Sequence, residues 1–249
     1  PLFGSFLHYT VPAAKSNRKS RRFSRLAKRA KIGYTVSIMR NFCFLEDLMD
    51  EQKTTGTLYI VATPIGNSRD MSERGREILS TADIIAAEDT RVTMKLLNFL
   101  GLKKPMVSYY EHALQKGEAI LQRIEAGESC ALCSDAGMPC VSDPGEVIVR
   151  DALARGIKVV PVPAASACVT ALAVSGQDTS RWVFEGFLPV NRKQKKERLA
   201  ELLGEKRTVI FYEAPHKLRT TLDDLTAAFG PERSITLCRE LTKLHEEIW

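Results

Sequence analysis

The chain has 249 residues, 44% hydrophobic and 27% charged, the profile of a globular protein with ample material for a core. No apolar run approaches the ~18 residues of a membrane-spanning helix, and the most apolar stretch, 157–168, is broken by Lys158 and two prolines. Residues 1–45 hold ten of the 36 Lys and Arg and none of the 30 Asp and Glu, so the formal charge of +6 belongs to that end, the other 204 residues sum to −4, and any nucleic-acid site must be a local patch.

Residue 1 is proline, and segment 15–31, KSNRKSRRFSRLAKRAK, is basic, Ser-containing and free of acids. An organellar transit peptide has that composition, and so has an RNA-binding arm. A third reading, the one we favour, takes MDEQKTTG from Met49 as the natural start and the rest as translated leader. Residues 1–55 are therefore expected to be a disordered or non-native extension.

From Gly56 the chain alternates strands and helices. TLYIVA (57–62) is an apolar, β-rich run, 72–80 reads as a short helix, and ADIIAA (82–87) as the next strand. A helix over 90–100, a strand over 105–108 and an amphipathic helix over 113–126 follow. Next come a strand over 129–133, a helix over 146–154 closed by Gly156, and a strand over 158–162. A helix of small residues over 165–174 ends at Gly176. This rhythm predicts an α/β fold with a mostly parallel sheet and helices on both faces. It restarts near residue 178: strand 182–187, charged helix 192–203, strand 208–212, helix 215–229, strand 234–239. The expected domains are 56–177 and 178–249 with a ligand cleft between them, the second domain being cut short at Trp249.

Four loops at strand ends carry polar or special residues. The first, after TLYIVA, is TPIGN, with Pro64, Gly66 and Asn67; a plain turn would account for it alone. The second is Glu88-Asp89-Thr90-Arg91; Asp89 or Thr90 suits a helix N-cap, but capping does not explain Glu88 and Arg91 together. The third, SDAGMPCVSDPG (134–145), has two Asp, two Pro and two Gly in twelve residues, including Ser134, Asp135, Ala136, Gly137 and Pro139. Its amides and carboxylates suit a polar, zwitterionic ligand. The fourth, PVPAASA (161–167), brings Ala164, Ser166 and Ala167, small residues that admit a flat ligand. Cys130 and Cys133 have CxxC spacing, but an odd offset on a strand sends side chains to opposite faces, so buried thiols are the plainer reading. Neither a G-x-G-x-x-G turn nor a phosphate loop with Gly-Lys-Ser/Thr is present.

In order, GTLYIVATPIGN, AAEDTR, SDAGMPCVSDPG, PVPAASACVTAL, EGFLP, FYEAPHKL and RELTK resemble the ribosomal RNA 2′-O-methyltransferases of the tetrapyrrole-methylase superfamily, from about Gly56 to Lys243. The resemblance implies a two-domain α/β protein that binds S-adenosyl-L-methionine in the cleft. It further implies a cytoplasmic homodimer that methylates a cytidine ribose in the decoding region of small-subunit ribosomal RNA, free or in the assembled subunit. Pro64, Gly66, Asn67, Ser134, Asp135, Ala136, Gly137, Pro139, Ala164, Ser166 and Ala167 would line the cofactor site. The family usually has Gly where Ala164 stands, and it continues well beyond Trp249.

Such a reaction needs alignment of oxygen, methyl and sulfur, and an acceptor for the hydroxyl proton. The candidates are Glu88 and Asp89, then Asp135, with Glu213 and His216 facing the cleft from the second domain; Arg91 and Arg239 would hold phosphate or carboxylate. Neither a catalytic metal nor a membrane is expected. RNA phosphates would meet Arg192, Lys193, Lys195, Lys196 and Arg198, a basic cluster at a helix N-terminus, where the helix dipole disfavours cations. The bland alternative is a solvated helix face. Two other functions fit the same fold: a tetrapyrrole or diphthamide-pathway methyltransferase, and a non-catalytic RNA-binding ribosome-assembly protein.

Overall fold

The computed structural model describes residues 55–110 and 114–249, so the expectations for residues 1–54 lie outside the described residues. Five parallel strands form the main sheet in the order β3-β2-β4-β1-β5. They are β1 (Thr57–Val61), β2 (Ile84–Ala87), β3 (Met106–Ser108), β4 (Cys130–Cys133) and β5 (Lys158–Val162). Helices α1 (Glu73–Thr81), α2 (Thr90–Leu100), α3 (Leu114–Glu125) and α4 (Glu146–Ala154) connect them in turn.

The strands are apolar at consecutive positions because helices cover both sheet faces. Leu58, Ile60, Ile84, Ala86, Cys130 and Leu132 face Ile120, Leu121 and Ile124 of α3 and Ile148 and Ala152 of α4. Val61, Ile85, Ala131 and Cys133 face Leu79 of α1 and Leu97 and Leu100 of α2. The two cysteines of the CxxC therefore lie in different cores, and burial pushes each thiol up to about 12. Among the described residues no cluster of His, Cys, Asp and Glu is arranged to hold a metal ion, and no helix is long and apolar enough to cross a membrane.

Helix termini follow local chemistry. Ser72 caps α1 through Gly75 N (3.0 Å), and α2 ends at Gly101 with φ +72°. α1 and α2 lie on one face and α3 and α4 on the other. The chain therefore leaves β1 and β4, which are neighbours, toward opposite faces. That divergence opens a crevice at their carboxyl ends, the usual ligand position in such sheets.

Beyond α5 (Ala167–Val174) the chain enters a second sheet of two parallel strands, β6 (Trp182–Phe187) and β7 (Thr208–Tyr212), with α6 (Arg192–Glu201) between them and α7 (Leu218–Phe229) after. The register of β6 slips between Phe184 and Gly186, a bulge that Gly186 permits with φ +62°. A Cβ there would also stand 2.8 Å from Ser142 Oγ, so the second sheet backs directly onto loop 134–145.

Two expected elements differ. The helix expected from 215 begins at Leu218, because Pro215 sits in a turn closed by Lys217 N on Ala214 O (2.9 Å). The strand expected over 234–239 is reduced to β8 (Cys238–Arg239), paired antiparallel with β9 (Glu247–Ile248). Residues 234 and 236 bond side chains instead: Gln177 Nε2 donates to Ser234 and Thr236, and Thr236 Oγ1 donates to Ser175 O.

Candidate active site

Hydrogen bonds donated by backbone amides tie three of the four loops together at the carboxyl ends of adjacent strands. Thr63 N donates to Gly137 O (2.8 Å) and Gly137 N to Thr63 O (3.0 Å), joining TPIGN to SDAGMP across the β1–β4 crevice. The Thr63 hydroxyl adds a bond to Ser134 O (3.2 Å). On the other side, Asp89 N donates to Asp135 Oδ1 (3.1 Å) and Asp135 N to Glu88 Oε2 (3.4 Å). Neighbouring strands put the loops in reach, and each carboxylate accepts an amide from the opposite loop.

Loop 134–145 holds an unusual backbone. Gly137 has φ +85°, Cys140 +69°, Ser142 +62° and Gly145 +143°. Left-handed conformations at non-glycine residues cost energy and persist only where surroundings enforce them. At Gly145 only glycine fits, since a Cβ would sit 2.3 Å from Cys140 Sγ. Among the described residues the remaining non-glycine residues with positive φ are Glu240 and Thr242, so Ala164 requires no glycine for its φ.

The two acids of the second loop have different environments. Asp89 is the N-cap of α2, accepting from Arg91 N (2.8 Å) and pairing with the Arg91 guanidinium (2.5 Å). Those bonds pull its carboxyl down to about 2, so it stays ionised and is a weak base. Arg91, 87% exposed, is free to turn outward apart from that pair. Glu88 is half-buried at the mouth of the β2–β4 step. Burial raises its pKa, the bond from Asp135 N lowers it, and the charges of Asp143, Asp135 and Asp89 raise it further. Asp143 is likewise raised, chiefly by burial, with Ser134 pulling it down and Asp135 pushing it up.

A cavity of about 1080 Å³ opens between loop 134–145 and the second sheet; Asp143 borders it, whereas Glu88, Asp89 and Asp135 lie outside its lining. Ala136, Gly137, Ser166 and Ala167 line one wall, and Phe187, Tyr212 and Glu213 stand on the other side. Ser134 and Pro139 are buried beneath the loop, Asp135 is exposed at its rim, and Pro64 and Ala164 are half-buried. Gly66 and Asn67 instead border a separate hollow of about 530 Å³ with Thr242 and Lys243. Asn67 caps a short 3₁₀ turn there, and Gly66 is pressed against Leu241–Lys243, where a Cβ would meet Lys243 Cγ at 2.5 Å.

The family model for Tetrapyrrole (Corrin/Porphyrin) Methylases matches residues 57–249. The chain belongs to the tetrapyrrole methylases. Three curated relatives carry the name ribosomal RNA small subunit methyltransferase I. They come from Synechocystis sp. (48% identical, 78% of this chain, 70% of the relative), Halalkalibacterium halodurans (49%, 77% and 66%) and Haemophilus influenzae (47%, 78% and 69%). The chain thus spans about two thirds of their length. Among solved structures it resembles a cobalt precorrin-4 methyltransferase (TM-score 0.58, 17% identity, 81% of this chain and 87% of that one). It also resembles uroporphyrin-III-C-methyltransferase from Thermus thermophilus (TM-score 0.55, 16% identity, 78% and 83%). At those identities the likeness is one of fold.

The tetrapyrrole-methylase fold gives two of the expected residue sets more than one task. Glu213 accepts from Ala214 N (2.7 Å) and from Thr221 Oγ1 (2.5 Å), so its carboxylate organises the start of α7 while lining the cavity. In the basic cluster, Asn191 caps α6 through Lys193 N and Gln194 N. Lys195 is paired with Asp224 of α7 (2.9 Å), and Arg198 forks onto the nearly buried Glu185 of β6 (2.7 Å). These two cations hold α6 in place. Arg192, Lys193 and Lys196 are exposed and point away from such anchoring. His216 is exposed in the turn before α7, and Arg239 pairs with Glu247 (2.7 Å).

Thr63, Asp143 and Tyr212 join the site although the sequence motifs did not single them out. Asp143 had a signal, as the second acid of a twelve-residue loop that bends back on itself. Thr63 and Tyr212 lay inside the quoted runs TPIGN and FYEAPHKL, but nothing in those runs marked them individually, because their roles depend on which strands are neighbours.

Proposed function

We propose that this chain methylates a ribose 2′-hydroxyl, that of a cytidine in the decoding region of small-subunit ribosomal RNA, with S-adenosyl-L-methionine as donor and as a homodimer. The reading rests on the names of relatives at 47–49% identity together with one observation: the half-buried Glu88 at the mouth of the β2–β4 step. The donor fits the large cavity in two respects. Its volume of about 1080 Å³ slightly exceeds the ordinary ligand-pocket range of roughly 300–1,000 Å³, ample for a nucleoside-sized donor. Its Ala136–Gly137 and Ser166–Ala167 wall presents small side chains and loop backbone. Bound there, S-adenosyl-L-methionine supplies an electrophilic sulfonium methyl.

The rest falls to the chain. Loop 134–145 sets the position of the donor wall through its bridge to Thr63. Glu88 is the proton acceptor for the ribose hydroxyl: among the described residues its Oε1 has no donor, and its raised pKa makes it a stronger base than Asp89. Arg192, Lys193 and Lys196 meet RNA phosphates.

Labelled methyl transfer to small-subunit RNA, with 2′-O-methyls mapped by resistance to alkaline cleavage, tests the reading. Glu88→Gln is expected to lower kcat by about 10²-fold or more while donor binding persists. Methyl groups found on bases rather than ribose, or on a tetrapyrrole instead of RNA, would defeat it.

A further inference from the structure

Tyr212 ends β7 in the second sheet, yet its hydroxyl oxygen accepts a hydrogen bond from Cys168 N (3.0 Å) in the first turn of α5. First-turn amides have no partner within their own helix. Ser166, the N-cap residue, makes no side-chain cap bond; its hydroxyl lies 3.2 Å from Cys168 Sγ instead. The cap of α5 is thus supplied by a residue 44 positions later in the chain.

The tyrosine ring is held edge-on by Phe184 (5.0 Å between centroids) and Phe187 (5.5 Å). Burial, followed by the neighbouring Cys168, pushes its phenol up to about 12, so the oxygen remains a neutral acceptor through the physiological range. The segment leading into α5 in turn runs beside loop 134–145, where a Cβ placed on Gly137 would stand 3.7 Å from Ala165 O. Ser166, Ala167, Phe187 and Tyr212 all border the large cavity.

We propose that Tyr212 is a positioning residue for the methyl-donor pocket, its hydroxyl fixing the first turn of α5 from the second sheet so that the pocket wall is complete only when both sheets are docked. This rests on assigning the donor to that cavity. The hydroxyl should therefore govern donor affinity and leave the methyl-transfer step and RNA affinity alone.

Tyr212→Phe removes the hydroxyl and keeps the ring clamp. Three measurements follow on the full chain: hydrogen exchange of the peptide spanning 165–170, calorimetric titration with S-adenosylhomocysteine, and steady-state kinetics. Exchange should speed up, and Kd for the nucleoside and KM for the donor should rise together by about 3–10-fold, the size of one lost hydrogen bond. The value of kcat should stay within about twofold. Phe184→Leu, which loosens the ring clamp on Tyr212 at a side chain outside the cavity lining, should shift Kd the same way by a smaller factor. Unchanged exchange in Tyr212→Phe overturns the latch. Faster exchange with unchanged Kd in both variants overturns its role in the pocket. A fall in kcat at constant donor KM overturns it too, by placing the hydroxyl in the chemical step. A wild-type chain that does not bind the nucleoside refutes the donor assignment, and the pocket role with it, while the exchange difference still reports on the latch.

Discussion

Strands β2 and β4 are buried at every position, whereas every residue of β7 is only half-buried. The five-stranded sheet lies between two helix layers, and its loops inherit positions from the register of neighbouring strands. The two-stranded sheet has less apolar cover and is held by polar links: Lys195 to Asp224, Arg198 to Glu185, and Tyr212 to the start of α5. A site built between them joins a wall set by close packing to a wall set by a few specific bonds. Changes in the first should act mainly on stability, and changes in the second mainly on alignment.

The largest effect expected from that contrast is in the core. Leu132, 1% exposed at the centre of the main sheet, should cost about 2–5 kcal/mol when changed to Ala. Val209→Ala in half-buried β7 should cost about 1 kcal/mol. Urea unfolding of both variants measures this, and equal losses would erase the distinction between the sheets.

Arg198→Ala leaves the nearly buried carboxylate of Glu185 without its forked donor, at about 1–3 kcal/mol. Changing Arg192, Lys193 and Lys196 together should leave the melting temperature nearly unchanged. It should flatten the log–log salt dependence of RNA binding by about 2–3 units, at roughly 0.7–0.9 per phosphate contact. Anisotropy at several salt concentrations separates the two classes of cation. A slope unaltered by the triple change would make the exposed face of α6 a solvated surface only.

Gly137→Ala places a side chain at φ +85° with its Cβ 3.3 Å from Ile65 Cγ2. The backbone penalty is about 1–2 kcal/mol. Because Gly137 also bridges to Thr63, donor affinity should fall more than stability does. Calorimetry beside thermal melting checks the ratio.

The smallest effects are in the acid limb of stability, where Asp89 and Glu88 have opposite signs. The folded pKa of Asp89 is depressed from 3.8 to about 2, so its contribution is present above the unfolded value and is lost as pH falls toward about 2. That of Glu88 is raised above 4.5, so its charged form weakens the fold at neutral pH, and the weakening disappears as pH falls through the raised value. Melting curves across pH should show Asp89→Asn less stable than wild type near about pH 7, with the gap closing in acid. Glu88→Gln should be slightly more stable near about pH 7, with its gap closing first. Parallel curves for the two variants would contradict the separation of their environments.

The apolar runs TLYIVA, ADIIAA and CALC, alternating with amphipathic segments, were enough to indicate a parallel sheet covered on both faces, and residue spacing placed Cys130 and Cys133 on opposite sides of β4. The strand expected over 234–239 shows where such reading stops. SITLCR has β-rich composition, but Gln177 and Ser175 take the side chains of Ser234 and Thr236, and backbone pairing begins only at Leu237, which exchanges bonds with Trp249 beside the strand Cys238–Arg239. Similarly, the cluster 192–198 reads as five equivalent cations until Asp224 and Glu185 claim two of them.

By itself, then, the sequence determined the period of each element, the loops that carry polar residues, and the family to which their order belongs. Those properties are local: side-chain periodicity and turn chemistry act over a few residues. Only the tertiary structure decided that β4 lies between β2 and β1. That placement lets Asp135 bond Asp89 N while Gly137 bridges to Thr63. It also decided that Glu88, half-buried among other acids, is the stronger base, while Asp89 is held ionised by Arg91 and the first turn of α2. Base strength depends on burial and on charges brought close from distant parts of the chain. Two adjacent acids in a sequence cannot be told apart until strand order supplies those neighbours.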